Sequence, residues 1–467
     1  MANIIEQRPL KSLLPVGQDL IFTVSNNTIV ATELNVKFIA EVHISSTFAP
    51  NLSNANDLIG IFKTTPNNAG VGIFDLKSVV ENYVKADHTT TSNSEYKTTT
   101  PSAALDIPIH LIDKFSGNNN AMKYLAIQFK IEYLGATNCS GEQDDNVIRT
   151  ACSQAANSID YRIFNGYLKR SDKLQLIGNN FGFDITQYEL TSSATDSFLS
   201  NAPTTQYANI EDYGTMAFLD TNGNVTQLFF TYYDSSGSSL GTDIVYRSTA
   251  NGAYSVYDAN IGFDLLYFGC FPANLTGANL TTWIANSADV SYYTVVARTG
   301  VSELSHTVTI NVNCPDLRGY ESIRLTWLNQ WGAWDYYTFT KKSSRSIATK
   351  GSTYSQQSGT WNEGVFKLNG YKGGQKSFRV NATERIKMNT DFVSEADGEW
   401  FEELINSPEV YILEGYQTDV SDPQLNQYVT PVRLTTSSYT RKTIANDRLM
   451  QYSFEIEKAN ILRTQAI

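Results

Sequence analysis

Residues 36–44, VKFIAEVHI, largely alternate apolar and polar side chains. A period of two over such a stretch is typical of a β-strand with one face on a core, and it points His43 to the polar face. Further apolar runs at 58–63, 71–74 and 125–133 are separated by turn signals such as TPNNAG at 65–70. Together these runs predict one β-sandwich, Ig-like in size, over residues 21–135.

A second series of short apolar runs follows a polar stretch at 136–160, which we expect to be an exposed loop. These runs predict strands at 161–164, 216–220, 227–233, 244–247, 265–271, 292–298 and 307–312. Asn222-Gly223 lies between two of them and predicts a two-residue type I′ hairpin turn. The loop DTNGN at 220–224 also offers oxygen ligands, but an EF-hand calcium loop is followed by a helix, so the hairpin is the favoured interpretation. The series predicts a second β-sandwich domain over residues 161–312.

The two ends of the chain differ in character. Residues 1–20 contain Pro9 and Pro15 and no regular pattern, which predicts an extended N-terminal arm. Residues 313–467 mix strands with one convincing helix, where Ser394 supplies the N-cap and Trp400 begins the apolar face. The predicted fold class is therefore mainly β: two β-sandwich (Ig-like) domains and a C-terminal β-rich domain with one helix.

The charge balance excludes some classes of function. The chain of 467 residues carries a formal charge of −12 and no long Lys/Arg run; its densest basic stretch, 341–345, reads as a solvated strand or loop. Nucleic-acid binding needs a basic face, so we expect no nucleic-acid partner.

The first 20 residues lack the apolar run of a signal peptide, and no stretch is apolar for long enough to span a membrane. We therefore expect that the chain is synthesised in the cytosol and does not insert into a membrane.

The four cysteines fit a reducing compartment as free thiols. Cys139, Cys152, Cys270 and Cys314 lack the CxxC spacing of zinc sites. Cys139 and Cys152 bracket a polar excursion, and a disulfide between them stays open as an alternative if the mature protein meets an oxidising environment.

The most aromatic stretch is 325–339, LTWLNQWGAWDYYTF. Trp327 and Phe339 lie on two predicted strands that join near Gly332, and their phasing favours packing in a core. An exposed surface that stacks on sugars or anchors a subunit is the alternative. Asp335 beside two tryptophans suggests one acid of a glycosidase, but such an enzyme needs a second acid nearby and the sequence marks none.

Other catalytic and cofactor motifs are missing from the sequence. His43, His88, His110 and His306 are far apart and have no metal-ligand neighbours at the usual spacing. Neither a nucleophile elbow nor a phosphate-binding or dinucleotide-binding glycine loop is present, and 370–374 reads as a turn. We predict no catalytic residues, no metal ligands, no cofactor and no enzymatic activity.

Several segments resemble structural proteins of tailed bacteriophages of Bacteroidetes-type and marine hosts, including the crAss-like phages. They are YRIFNGYL at 161–168, FLSNAP at 198–203, LTWLNQWGAWDYYTF at 325–339, EWFEELINSPEVYI at 399–412, and the closing stretches 431–434 and 452–457. In such phages, comparable β-rich proteins form neck or tail rings, hubs and fibre-attachment adaptors. The resemblance implies a virion protein that is assembled in the host cytoplasm.

We therefore expect a non-enzymatic virion component of the neck or tail, a ring, collar, hub or fibre-attachment protein. Its expected partners are copies of itself, other neck or tail proteins and tail fibres, and its expected contacts are strand edges, aromatic anchors and extended termini. A receptor- or glycan-binding tail adhesin is the alternative, and a tail-borne glycan depolymerase is a third reading.

Overall fold

The computed structural model describes residues 3–47, 50–88, 108–112, 115–117, 120–151, 157–173, 176–177, 180–181, 183–191, 193–247, 264–276, 280–313, 320–360, 364–368, 370–413, 429–436, 438–440, 450–459 and 462. The chain is mainly β, as predicted, with several antiparallel sheets and few helices. It divides into two compact units. Unit 1 comprises Met1–Thr205, Tyr213–Asn311 and Asn329–Asp335, and unit 2 comprises Gln206–Asp212, Val312–Leu328 and Tyr336–Ile467.

The first part of the chain supplies the strands and helices up to residue 188, most of which surround the first core. The strands are β1 Ile4–Gln7, β2 Leu13–Pro15, β3 Ile21–Ser25, β4 Lys37–Ser45, β5 Leu58–Thr64, β6 Val71–Asp75, β7 Phe115–Gly117, β8 Met122–Leu134, β9 Ile148–Thr150, β10 Asn157–Phe164, β11 Leu176–Ile177 and β12 Asn180–Phe181. The helices are α1 Asn27–Thr32, α2 Lys77–Val80 and α3 Arg170–Lys173, with 3-10 turns at Glu81–Tyr83, Ile109–Leu111 and Ile185–Tyr188.

The first core lies between two sheets, in a sandwich-like arrangement. One sheet has the order β1-β3-β6 and the other the order β2-β10-β8-β4-β5, with β9 beside β8. The rings of Phe22 and Phe74 from the first sheet each lie 5.8 Å from that of Phe129 in the second. The predicted strands at 36–44, 58–63, 71–74 and 125–133 all form, because their apolar alternation matches a face that is buried.

The middle of the chain forms a second pair of sheets in unit 1. The strands of this part of the chain are β13 Thr205–Asn209, which belongs to unit 2 from Gln206 onward, β14 Thr215–Leu219, β15 Gln227–Tyr233, β16 Ser239–Tyr246, β17 Leu265–Gly269, β18 Tyr292–Thr299, β19 Ser302–Glu303 and β20 Val308–Asn313, with helix α4 Thr281–Asn286 and a 3-10 turn at Pro272–Asn274. One sheet runs β14-β17-β7, and the other contains β20-β18-β15-β16 in this order, with β19 beside β18. The Tyr293 hydroxyl of β18 donates to the Cys270 carbonyl after β17, at 2.7 Å.

Strand pairing crosses the boundaries drawn along the sequence. β7 falls in the stretch 21–135 but pairs with β17, Phe115 opposite Phe268. β9 and much of β10 fall within the expected loop 136–160, yet both pair with β8. Local patterns mark strands well, but they carry no information on which distant strand becomes the partner.

Unit 2 is built on a seven-stranded sheet and one helix. The remaining elements are β21 Ile323–Leu328, β22 Trp334–Phe339, β23 Ser344–Gln356, β24 Gly374–Asn389, α5 Glu395–Asn406, β25 Val410–Leu413, β26 Val429–Leu434 and β27 Ser453–Lys458. The sheet order is β22-β21-β25-β26-β27-β24-β23. Helix α5 begins at the predicted cap, where Ser394 and Asp397 form a capping box. It packs Trp400 against Trp327, with ring centroids 4.9 Å apart.

Candidate assembly interface

The four histidines have structural surroundings. His43 lies, as predicted, on the face of β4 opposite the first core, to which Phe38 and Val42 belong, but it is buried there. Burial lowers the pKa of His43 below its usual value. His306 Nδ1 lies 3.1 Å from the Asp196 carbonyl, while His88 and His110 both contact the Trp334 ring. Among the described residues, no group of three or more His, Cys, Asp or Glu side chains is placed to hold a metal ion.

Asp335 takes part in a buried hydrogen-bond network. Its Oδ1 atom accepts from Ser200 Oγ at 2.7 Å and from Asn329 Nδ2 at 3.0 Å. Asn329 Nδ2 also donates to the Leu199 carbonyl at 2.8 Å. These bonds connect the turn at 329–333 to the segment around residue 200. Asp335 therefore stabilises the position of this turn.

The tryptophans of 325–339 are packed, as predicted. Trp327, Trp331 and Trp334 are all buried, and so is Phe339. Trp331 stacks on Phe183 at 5.2 Å between ring centroids. Buried indole N–H groups need acceptors, and Trp334 Nε1 donates to the Asp87 carbonyl at 2.7 Å. The reading of this stretch as core is confirmed.

The predicted Asn222-Gly223 hairpin is wrong. β14 pairs with β17, whereas β15 pairs with β16 and β18, so residues 220–226 connect two sheets. Gly223 has a φ of +70°, but Asn222 is not among the positive-φ residues that a type I′ turn requires. The buried Asp220 carboxylate accepts from the backbone N–H groups of Asn224 and Val225 and pairs with Arg247 at 2.5 Å. This carboxylate, rather than strand pairing, sets the path of the loop.

The cysteines and the N-terminal segment also depart from expectation. Cys139 is disulfide-bonded, which corrects the expectation of four free thiols; Cys152, the partner considered from the sequence, lies outside the described residues, as does Cys314. Cys270 is buried and forms no disulfide bond. Residues 3–20 do not form a free arm, because β1 pairs with β3 and β2 pairs in parallel with β10. At the other end, residues 463–467 lie outside the described part of the chain.

A different projecting element is present in unit 2, a long hairpin made by β23 and β24. Ser344 pairs with Lys387 at its base and Gln356 with Gly374 near its tip. β24 pairs with β27 only over Arg385–Asn389, and Ala382 forms one further bridge to Leu462. Beyond that bridge the described residues form a ribbon of two strands, and seven residues at 3.3 Å each give it a length of roughly 20 Å. We call residues 347–381 the β-arm.

The base of the β-arm is held by ion pairs. Arg345 Nη1 lies 2.6 Å from Glu384 Oε1, and Arg345 also pairs with Glu321. Lys458 Nζ lies 3.4 Å from the other oxygen of Glu384. Burial would raise the pKa of Glu384, but the hydrogen bond from Arg345 and the charge of Lys458 outweigh it and hold that pKa below its usual value. These contacts fix the arm where it leaves the sheet.

The two faces of the β-arm differ in chemistry. Cross-strand register places Ile347, Val380 and Ala382 on one face, and Ile347 is 65% exposed. The same register places Lys350, Lys376 and Arg379 on the other face. None of the residues of β23 is buried. Neither face of the ribbon is therefore covered in the described structure, and one of the two carries the cations.

The described residues at the tip of the β-arm form hydrogen bonds with one another and expose apolar side chains. The Thr360 hydroxyl donates to the Val365 carbonyl at 3.3 Å and accepts from the Lys367 N–H at 3.1 Å. Gly359 has a φ of +84°, and a side chain there would collide with the Phe366 ring. The tip nevertheless exposes large apolar side chains to solvent, namely Val365 (69%), Phe366 (63%), Leu368 (75%) and Tyr371 (72%).

The net charge of the β-arm is opposite in sign to that of the whole chain. Residues 347–381 contain five Lys or Arg and one Glu, a formal charge of +4 in a chain of −12, which leaves −16 on the remainder. Only the run at 341–345 stood out in the sequence, because the cations of the arm are spaced by Ser, Thr and Gly. A windowed charge count, together with the glycines at 370–374, would have found the element.

No protein-family model matches this chain, and no curated protein sequence matches it. Within the described residues, no helix combines the length and the apolar composition needed to cross a membrane.

Proposed function

We propose that this chain is a non-enzymatic structural subunit that works by assembly and that the β-arm is its main contact with neighbouring proteins. The single observation that carries the proposal is the arm itself. A two-stranded ribbon is marginally stable in water by itself, and a long free edge strand is a template for association. Exposed apolar side chains on the tip add the kind of anchor that protein interfaces bury.

The virion setting rests on the resemblance of residues 161–168, 325–339 and 399–412 to tailed-phage structural proteins. On that basis the chain is a ring, collar, hub or fibre-attachment component of the neck or tail, assembled in the host cytoplasm. Its partners are its own copies, other neck or tail proteins and tail fibres, without cofactor, nucleic acid or membrane insertion. Asp335, the acid considered for glycan cleavage, is engaged by Ser200 and Asn329, which supports the non-enzymatic reading.

The test replaces residues 350–381 by an Asn-Gly turn, in a phage genome that carries the variant. Thr349 and Ala382 are an antiparallel pair, so a two-residue turn closes the shortened hairpin without moving the sheet. We expect a folded protein, with unchanged circular dichroism, that no longer enters particles.

The proposal is overturned if the shortened chain occupies particles at the normal copy number, or if no particle contains the full-length chain. Hydrolysis of host polysaccharide by the purified full-length chain would favour the depolymerase, and arm-dependent binding of host glycan without incorporation would favour the adhesin. Either of these two results would also overturn the proposal of a structural subunit.

A further inference from the structure

Resting on this proposed function, we infer that the partner of the β-arm is a second copy of this chain and that the arm lies on the acidic body of its neighbour. The contact joins two different surfaces, the arm of one copy and the body of the next. It therefore repeats head to tail.

Charge complementarity favours this occupant. The arm carries +4 and the rest of the chain −16, so each copy holds both halves of an attractive pair. Complementary potentials steer association and fix which surfaces meet. The acidic charge of the body repels a second body, and the positive charge of the arm counters that repulsion.

The same charges oppose a symmetric contact between two arms through the face that carries Lys350 and Arg379. Lys350 and Arg379 lie on one face of the ribbon, where a second arm would place its own cations opposite them. Like charges placed directly opposite each other on strands destabilise the pair. An arm-to-body contact avoids this repulsion and is heterologous, and such contacts close into a ring when the rotation between copies divides a full turn.

The tip supplies the apolar part of the contact. Phe366 lies over Gly359, and Thr360 bonds to the backbone of Val365 and Lys367, so the Phe366 ring is held in place before binding. A preorganised anchor loses little conformational entropy when it docks. The cations along the ribbon then form a polar margin around this anchor, as in protein interfaces generally.

Sedimentation of the purified full-length chain at 50 mM and 500 mM NaCl tests the electrostatic part. High salt shortens the screening length several-fold, so we expect self-association to weaken roughly tenfold or more. The variant K350E/K372E/R379E should weaken association at low salt by a similar factor of about ten. The control R8E/K169E/R170E reverses three exposed cations outside the arm, giving the same net charge, and should change association less than about twofold.

Isotope-mixed photo-crosslinking tests the identity of the partner. A photoreactive phenylalanine analogue replaces Leu368, which is 75% exposed, in the unlabelled chain, and ¹⁵N-labelled wild type is added in equal amount. We expect crosslinks from residue 368 to ¹⁵N peptides of the body, which only contacts between copies produce. The same analogue at Val301, 94% exposed and outside the arm, serves as the control and should give none.

The inference is overturned if the chain sediments as a monomer at every concentration and residue 368 captures no ¹⁵N peptide. It is equally overturned if the arm binds only another virion protein, or only an anionic polymer such as DNA. If the chain is a monomer in solution or the arm binds another virion protein, loss of the arm would still prevent incorporation into particles, so the proposed function would survive the failure of this inference. An arm that binds only DNA would overturn the proposed function as well.

Discussion

Two hairpins lie at opposite edges of the unit 2 sheet, and they use aromatic residues in opposite ways. β21 and β22 form one edge, where Trp327 and Phe339 are fully buried. β23 and β24 form the other edge, where Tyr354 and Phe378 pack edge to face, 6.4 Å apart, while Phe378 stays 49% exposed. The first hairpin adds to a core. The second presents comparable side chains to solvent, which is what an interface element does before its partner arrives.

The largest expected effect is a difference in the free energy of unfolding between a substitution in the first hairpin and one in the second. Trp327→Ala removes a fully buried indole that packs on Trp400, and large-to-small changes of this kind cost about 3–5 kcal/mol. Phe366→Ala at the tip should change the free energy of unfolding by less than about 0.5 kcal/mol, as exposed sites usually do. Urea denaturation and limited proteolysis of both variants measure the difference. Equal losses would mean that the tip is part of a core.

The second effect is a pH dependence of stability that arises from Asp87, whose backbone carbonyl accepts the Trp334 indole N–H. Burial raises the pKa of Asp87 to about 7, although its carboxylate accepts a hydrogen bond from the Ala121 N–H. Because the folded pKa lies above the unfolded one, the folded state loses stability as pH rises from about 4 to about 7, by up to about 4 kcal/mol in all.

Asp87→Asn removes that charge and keeps an oxygen to accept the Ala121 N–H. We expect the variant to be more stable than wild type at pH 8 and nearly equal to it at pH 4. Thermal unfolding across this range provides the check. A constant difference at all pH values would show that Asp87 does not titrate in the folded protein.

The smallest effect compares two glycines with nearly the same backbone. Gly332, in the turn after β21, has a φ of +73°, and Gly223 has a φ of +70°. A Cβ at Gly332 would lie 2.0 Å from the Asn165 carbonyl oxygen, whereas nothing lies within 4 Å of one at Gly223. Gly223→Ala should therefore cost about 1 kcal/mol from backbone strain alone. Gly332→Ala adds a steric collision and should cost about 2 kcal/mol or more. Similar losses for both would show that the turn at Gly332 yields easily.

Sequence reasoning succeeded where the information is local. The alternation at 36–44 and the cap at Ser394 depend on neighbours within a few residues, and both elements formed as expected. The burial of Trp327 and Phe339 followed from strand phase in the same way.

It failed where a distant group decides. Asn222-Gly223 has the local chemistry of a hairpin, but the Asp220 carboxylate and Arg247 direct the loop elsewhere. His43 lies on the predicted polar face of β4, but it is buried there, which the local pattern of the strand does not indicate. The β-arm was missed for a related reason: its strands are polar on most positions, so no apolar periodicity marks them, and only the three-dimensional pairing shows that they leave the sheet.

The parallel pairing of β2 with β10 has a consequence for folding during synthesis. Leu13 pairs with Arg162, which the ribosome adds 149 residues later, so this pairing cannot form before then. At typical elongation rates of 5–20 residues per second, that interval is roughly 10–30 s. During it, the apolar side chains of Leu13 and Leu14 have no partner strand and are open to chaperones or to pairing with another nascent chain. The β-arm closes between neighbours along the chain and has no such delay, so its interface becomes available almost as soon as it is made.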